Sequence, residues 1–322
     1  MDACIADLER SYGESGPVRA SSVYFGGGTP SQLDPDELAR LLSAVVRQEG
    51  CEVTVEANPG DVTVGLVDSY ASSGVTRVSL GVQSLVPSVL DSLGRDQDPA
   101  TVAHAVSLIA AGGIGSYSVD LIFGAVDETD DDWRATLEGI LALEPSPPHV
   151  SAYALTAEPG TALWRDRARH PDDDVQAARY ELADIALSAN GLNWYEISNW
   201  ALPGHECRHN STYWSQGDYL GIGCGAHGHL RGRRYRKIAS LERYMAAVEA
   251  GRSGVAGSEV LDASARSLEL LELSVRTRHG VPSSSLGPDD ALSGLVDHLE
   301  GRAVLTRRGR LLASEVACRL IS

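Results

Sequence analysis

The sequence predicts an α/β protein: a parallel, barrel-like sheet followed by a smaller helical module. Three observations carry this expectation. Strand-like and helix-like segments alternate over the first two-thirds of the 322 residues. Three consecutive glycines, Gly26-Gly27-Gly28, join one strand to a helix start. The strands that follow have apolar bodies and polar last residues.

In chain order, Asp2–Tyr12 reads as a helix and Val23–Phe25 as the strand entering the glycine turn. Asp34 as N-cap, Pro35 at the first helical position and Glu37 three residues past the cap start a helix over Pro35–Arg47. Strand Glu52–Glu56 ends at Asn58-Pro59-Gly60, and a helix over 62–72 stops at Gly74. Strand Arg77–Leu80 leads to Gly81-Val82-Gln83-Ser84, then to helices over Pro87–Leu93 and Ala100–Ala111. Strand Tyr117–Ile122, helix Asp131–Leu143, strand His149–Tyr153, helix Asp173–Asn190 and a last strand Asn193–Ser198 complete the pattern. Repeated strand–helix units imply a parallel sheet with helices outside, and such sheets bind ligands at the carboxyl ends of their strands.

Those ends are Glu56, Gln83, Asp120, Tyr153, and Glu196 with Ser198, whereas Val53, Val55, Val78, Leu80, Val119 and Leu121 fill the strand bodies. One polar strand end is ordinary; five beside a Gly-Gly-Gly-Thr-Pro turn predict a concave polar site. Consecutive glycines let the backbone approach a bound group closely. No Gly-x-Gly-x-x-Gly spacing opens the next helix, so the turn is not the dinucleotide fingerprint.

From Arg236 onward the pattern changes. Leu241–Ala250, Ala263–Ser274 and Asp289–Leu299 read as helices, with a hairpin of Arg302–Leu305 and Leu311–Ala313 before a final helix, a winged-helix-like order. The expected organisation is a barrel-type domain over 1–235 and a C-terminal domain over 236–322. Arg307, Arg308 and Arg310 could face DNA, but a formal net charge of −17 argues against nucleic acid and favours a structural or docking module. Neither a basic-then-apolar leader nor a run of about 18 apolar residues is present, so a cytoplasmic protein is expected. The five cysteines, Cys4, Cys51, Cys207, Cys224 and Cys318, are scattered without a Cys-x-x-Cys pair, which excludes a disulfide framework and a local metal knuckle.

Several blocks in order resemble one family: Phe25-Gly-Gly-Gly-Thr-Pro-Ser, Val55-Glu-Ala-Asn-Pro-Gly60, Arg77-Val-Ser-Leu-Gly-Val-Gln-Ser84, Leu93-Gly-Arg95, Val119-Asp-Leu-Ile-Phe-Gly124, the segment Tyr153–Thr161, Tyr195-Glu-Ile-Ser198, Cys207-Arg-His-Asn-Ser-Thr-Tyr-Trp214 and Asp218–Gly228. Together they resemble the radical S-adenosylmethionine (SAM) proteins related to oxygen-independent coproporphyrinogen III oxidase, and most closely their heme-chaperone branch. The resemblance implies a partial (β/α) TIM-like radical SAM barrel, with SAM contacts at Gly27, Gly28, Thr29, Glu56, Gln83, Arg95, Asp120 and Ala154. Carboxylates suit the ligand's hydroxyls and ammonium, and Arg95 suits its carboxylate.

The resemblance also implies a [4Fe–4S] cluster, held by a Cys-x-x-x-Cys-x-x-Cys loop after the first barrel strand, that cleaves the sulfonium reductively. That loop has no counterpart in the chain, and Cys4 is alone on a predicted helix. The resemblance puts the loop and the first strand before Met1, so the barrel is expected to be N-terminally truncated and not cluster-competent as written. A start placed too late, a truncated gene and a cluster-free variant all account for this; the intact ligand residues favour the first. Loss of that strand would leave Val23–Phe25 at a sheet edge.

The segment His209-Asn-Ser-Thr-Tyr213-Trp214 matches a His-Asn-x-x-Tyr-Trp block associated with heme in the chaperone branch. The resemblance implies heme contact at His209, Tyr213 and Trp214, with His209 as iron ligand. Cys207 is a second candidate, and His227 and His229 are weaker ones. It implies delivery of heme to an acceptor such as a membrane-associated respiratory enzyme. The alternative is coproporphyrinogen III oxidation by radical decarboxylation in porphyrin biosynthesis, and whether the chain is an enzyme stays open.

Overall fold

A computed structural model describes residues 1–13 and 16–321. Helix α1 (Asp2–Tyr12) precedes β1 (Ala20–Phe25), α2 (Pro35–Ala44) and β2 (Arg47–Ala57). Then come α3 (Val64–Ser73), β3 (Arg77–Gln83), α4 (Pro87–Ser92), α5 (Ala100–Ala111), β4 (Ser116–Phe123), α6 (Asp130–Leu141) and β5 (His149–Ala154). The short α7 (Ala162–Arg165), the long α8 (Asp173–Ala189), β6 (Asn193–Glu196), β7 (Asn199–Ala201) and α9 (Arg208–Trp214) follow. The chain ends with β8 (His227–Leu230), β9 (Arg233–Lys237), α10 (Leu241–Glu249), β10 (Val255–Val260), α11 (Ala263–Ser274), β11 (Val281–Pro282), β12 (Val296–Leu299), β13 (Arg302–Leu305), α12 (Arg307–Leu311) and α13 (Ala313–Ala317).

The main sheet has seven strands in the order β1-β2-β3-β4-β5-β7-β6 and curls as a half-barrel, with β1 at one edge. Strands β2 to β5 pair in parallel, as the strand–helix alternation requires. Register divides the sheet into two unlike faces. Val53, Val55, Val78, Leu80, Val82, Val119, Leu121, Val150 and Ala152 share one face and are at most 1% exposed, buried with Leu66, Val106, Ile109, Leu137 and Leu187 of the helices. The other face carries Thr54, Glu56, Arg77, Ser79, Ser116, Ser118, Asp120, His149, Ser151 and Tyr153, matched across neighbouring strands. A closed barrel fills its interior with branched apolar side chains; this half-barrel lines its concave face with polar ones.

The chain groups into two compact units, one of residues 1–23, 34–52 and 207–322, the other of residues 24–33 and 53–206. In the first, α1 is pinned by a buried ion pair: Lys237 Nζ donates to Asp7 Oδ1 at 2.7 Å, and the Tyr244 hydroxyl donates to Asp7 Oδ2 at 2.8 Å. That unit also holds two three-stranded antiparallel sheets, β10-β9-β8 and β11-β13-β12.

Four sequence expectations are corrected. Helix α2 stops at Ala44, not Arg47, because Val45 is extended and the Val46 carbonyl accepts from Ala20 N–H at 2.9 Å, feeding the chain into β2. The single strand expected over Asn193–Ser198 is half of a hairpin: β7 folds back between β5 and β6, antiparallel to both, and buries Trp200 fully. The helix expected over Asp289–Leu299 is a 3₁₀ turn followed by β12, because Glu300 and Gly301 take φ of 50° and 78° and make a tight hairpin to β13. The expected second hairpin strand, Leu311–Ala313, is helical instead, capped by the Thr306 hydroxyl, which accepts from Gly309 N–H.

Candidate functional site

The carboxyl ends of β2 to β5 open into a cleft of about 430 Å³. Of the eight residues expected at a SAM site, seven line it: Gly28, Thr29, Glu56, Gln83, Arg95, Asp120 and Ala154. Gly27 adjoins it, its N–H donating to Glu56 Oε2 at 3.2 Å. The glycine turn takes φ of 82° at Gly27 and 138° at Gly28, and a side chain at either would meet only open space. The turn therefore leaves room over its backbone where a ligand can lie. It is tied to the next strand–helix loop through Ser31, whose hydroxyl donates to Asp61 Oδ2 at 2.6 Å and accepts from Asn58 N–H at 3.3 Å.

Two carboxylates stand in the cleft. Glu56 accepts from the Tyr24 hydroxyl at 2.6 Å as well as from Gly27. Asp120 accepts from the Ser79 hydroxyl at 2.7 Å, and Ser79 is bonded in turn to Ser118 at 2.7 Å. Burial pushes the Asp120 carboxyl up to about 6; Glu56 beside it adds to the rise, and hydrogen bonds from Ser79 and Ser151 oppose it. Gln83 sits at a register shift with φ of 63°, a left-handed conformation that turns the strand end into the cleft. Arg95 is exposed and has no carboxylate partner among the described residues. The loop after β4 is fixed by Glu128 Oε2, which accepts from Gly124 N–H at 2.7 Å and from the buried Arg179 guanidinium at 2.8 Å.

Four of the five polar strand ends thus meet. The fifth does not: Glu196 is 2% exposed and accepts from Ser198 N–H within its own hairpin, so it does not line the cleft. The sequence reading missed Tyr24, Asn58 and Ser79. Counting back by twos from Gln83 through Gly81 reaches Ser79, so strand alternation could have found it; nothing local marks Tyr24. None of the five cysteines lines the cleft.

The second expected group lies on α9, a seven-residue helix. Its amino end is held by Glu52, whose Oε1 accepts from Arg208 N–H at 3.0 Å and His209 N–H at 3.3 Å, a carboxylate at the positive end of a helix. His209 and Tyr213, one turn apart, pack edge to face at 4.7 Å, and Tyr213 packs on Tyr219 at 4.6 Å in the same way. Burial lowers His209 to about 4, so its imidazole is neutral at physiological pH. Tyr213 is 37% exposed and Trp214 half-buried. Cys207 is buried with its thiol 3.6 Å from Glu52 Oε1. His227 is exposed, whereas His229 is buried with Nδ1 2.9 Å from the Gly217 carbonyl.

Residues 8–140 match the Radical SAM superfamily. The heme chaperone HemW of Mycobacterium tuberculosis H37Rv is 41% identical over 331 residues, covering 98% of this chain and 84% of that protein. The chain belongs to the heme chaperone HemW family. Heme chaperone HemW of Escherichia coli K12 is 38% identical over 226 residues, 69% of this chain and 59% of that protein. Among solved structures, the coproporphyrinogen III oxidase HemN of Escherichia coli, a radical SAM enzyme, superposes on this HemW-family chain with a TM-score of 0.83. It is 21% identical over 98% of this chain and 81% of that one, a likeness of fold. No helix of the described residues is long and apolar enough to cross a membrane.

Proposed function

We propose that this HemW-family chain binds SAM in the half-barrel cleft, binds heme on the surface carrying α9, and delivers heme to an acceptor protein, such as a membrane-associated respiratory enzyme, in the cytoplasm. The observation that carries the SAM part is the convergence of seven expected residues on one cleft. The donor set fits the ligand. The glycine turn presents backbone and open space, Glu56 and Asp120 offer acceptors for an ammonium and ribose hydroxyls, and Arg95 offers a guanidinium to a carboxylate.

For heme, the neutral His209 imidazole can donate a lone pair to iron, and Tyr213 and Trp214 offer flat apolar area. Residues 1–235 would carry both ligand regions and residues 236–322 a docking module. Family membership also implies a [4Fe–4S] cluster, which when bound would supply the electron that cleaves SAM. Among the described residues no three Cys, His, Asp or Glu side chains gather to hold a metal.

Titration of the purified chain with hemin, followed at the Soret band, and separately with SAM, followed by calorimetry, tests the reading. Saturation near one equivalent of each is expected. Absence of saturable heme binding would overturn it, and release of carbon dioxide from coproporphyrinogen III would replace it with the oxidase reading.

A further inference from the structure

Tyr24 lies on β1, two residues before the first glycine of the turn, and belongs to no part of the ligand set described above. Its hydroxyl donates to Glu56 Oε1 at 2.6 Å, while Gly27 N–H donates to Glu56 Oε2 at 3.2 Å. Both carboxylate oxygens are thus held by one short stretch of chain, one from the strand before the turn and one from the turn itself. Gly26 makes this possible. A Cβ there would fall 2.5 Å from the Tyr24 ring and 2.8 Å from Glu56 Oε1, so ring, glycine and carboxylate are in direct contact with no room for a side chain between them. Gly26 is the one glycine of the three that is required by packing within the protein; Gly27 and Gly28 face open space.

We propose that Tyr24 is a positioning residue of the cleft, aiming the Glu56 carboxylate at the amino-acid end of the bound ligand. Each carboxylate oxygen has a second lone pair beyond the one used by Tyr24 or Gly27, so Glu56 can still accept from a ligand cation while held rigidly. Asp120 from β4, Tyr153 from β5 and Arg95 beyond α4 line the same cleft as Glu56, and Tyr24 from β1 reaches it through its bond to Glu56. Burial, with Glu56 beside it, pushes the Tyr24 hydroxyl far above its ordinary value, so it stays protonated and remains a donor. Without it, Glu56 would keep only the longer bond from the turn and could rotate away from its neighbour carboxylate Asp120. Glu56 is bonded to the glycine turn, so its effect falls on whatever part of the ligand that turn receives.

The proposal rests on the SAM reading of the cleft and is tested beside it. Tyr24→Phe keeps the ring that packs on Gly26 and removes only the donor. Calorimetric titration of the chain with SAM and with 5′-methylthioadenosine, which lacks the ammonium and the carboxylate, separates the roles. SAM affinity should fall about tenfold in Tyr24→Phe, the scale of a lost hydrogen bond to a charged group, while 5′-methylthioadenosine affinity stays within about twofold. In the Glu56→Gln background the same Tyr24→Phe change should have much less effect on SAM. Equal SAM affinity in Tyr24→Phe and wild type, or an equal loss for both ligands, would overturn the positioning role while leaving the cleft assignment standing. Failure of the wild-type chain to bind SAM would overturn the cleft assignment and this role with it.

Discussion

The half-barrel cleft and the α9 region are built by different means. In the cleft the backbone does much of the work: left-handed glycines, a register shift at Gln83 and strand ends place the functional groups, and every acid is held by neighbours. On α9 the side chains do it, from a seven-residue helix anchored at one end by Glu52 and packed ring edge to ring face. A preorganised concave site suits a small ligand held in one pose. A half-exposed aromatic platform suits a flat cargo that must be given up again.

The largest expected effect separates binding from stability inside the cleft. Asp120 is raised from 3.8 to about 6 in the folded chain, so its contribution to stability is fully present below 3.8 and is lost as pH rises through about 6. At neutral pH its buried charge is a cost. Asp120→Asn should therefore raise the melting temperature at pH 7.5 by a few degrees while SAM affinity falls on the order of 100-fold. Calorimetry and thermal unfolding of the same sample check both halves; a lower melting temperature would show that the substituted amide cannot keep the Ser79 network.

Next in size, Gly28→Val imposes about 1–3 kcal/mol of backbone strain at a φ of 138° without filling occupied space. SAM affinity should drop roughly tenfold or more, with hemin titration unchanged. Loss of both affinities would mean that the two regions are not independent.

The smallest effect belongs to α9. His209→Ala should shift the Soret band and weaken hemin binding by about tenfold, with SAM binding intact; an unaltered band would remove His209 as the iron ligand. His209 is lowered to about 4, so its contribution to stability is present above about 6.5 and is lost as pH falls towards 4, the reverse of Asp120. Wild-type heme binding should hold from pH 7 to 5, because the imidazole stays neutral there.

Much of the half-barrel was legible because the parallel strands have apolar bodies and the glycine turn sits at a strand end. The cleft was legible at Glu56, Gln83, Asp120 and Tyr153 for the same reason. Tyr24 was not, because its partner is 32 residues away and nothing local distinguishes it from an ordinary strand aromatic. The run Asn193–Ser198 reads as one strand because Trp194 and Tyr195 are strand formers; only tertiary pairing shows the fold-back that brings Trp200 opposite Trp194. Sheet β8-β9-β10 was missed because Arg233-Arg-Tyr-Arg-Lys237 lacks an apolar alternation: its Lys237 is buried by pairing with Asp7 at the far end of the sequence. Helix α9 is too short for periodicity to reveal.

The polar concave face has a consequence for how such a protein can change over generations. Ser79, Ser116, Ser118 and Ser151 are small and hydroxylated, and stand apart from the aliphatic face that holds the sheet to its helices. Exchanging one of them re-lines the interior without opening a hole in the hydrophobic packing, so a lineage can try new ligands there one residue at a time with the scaffold left standing.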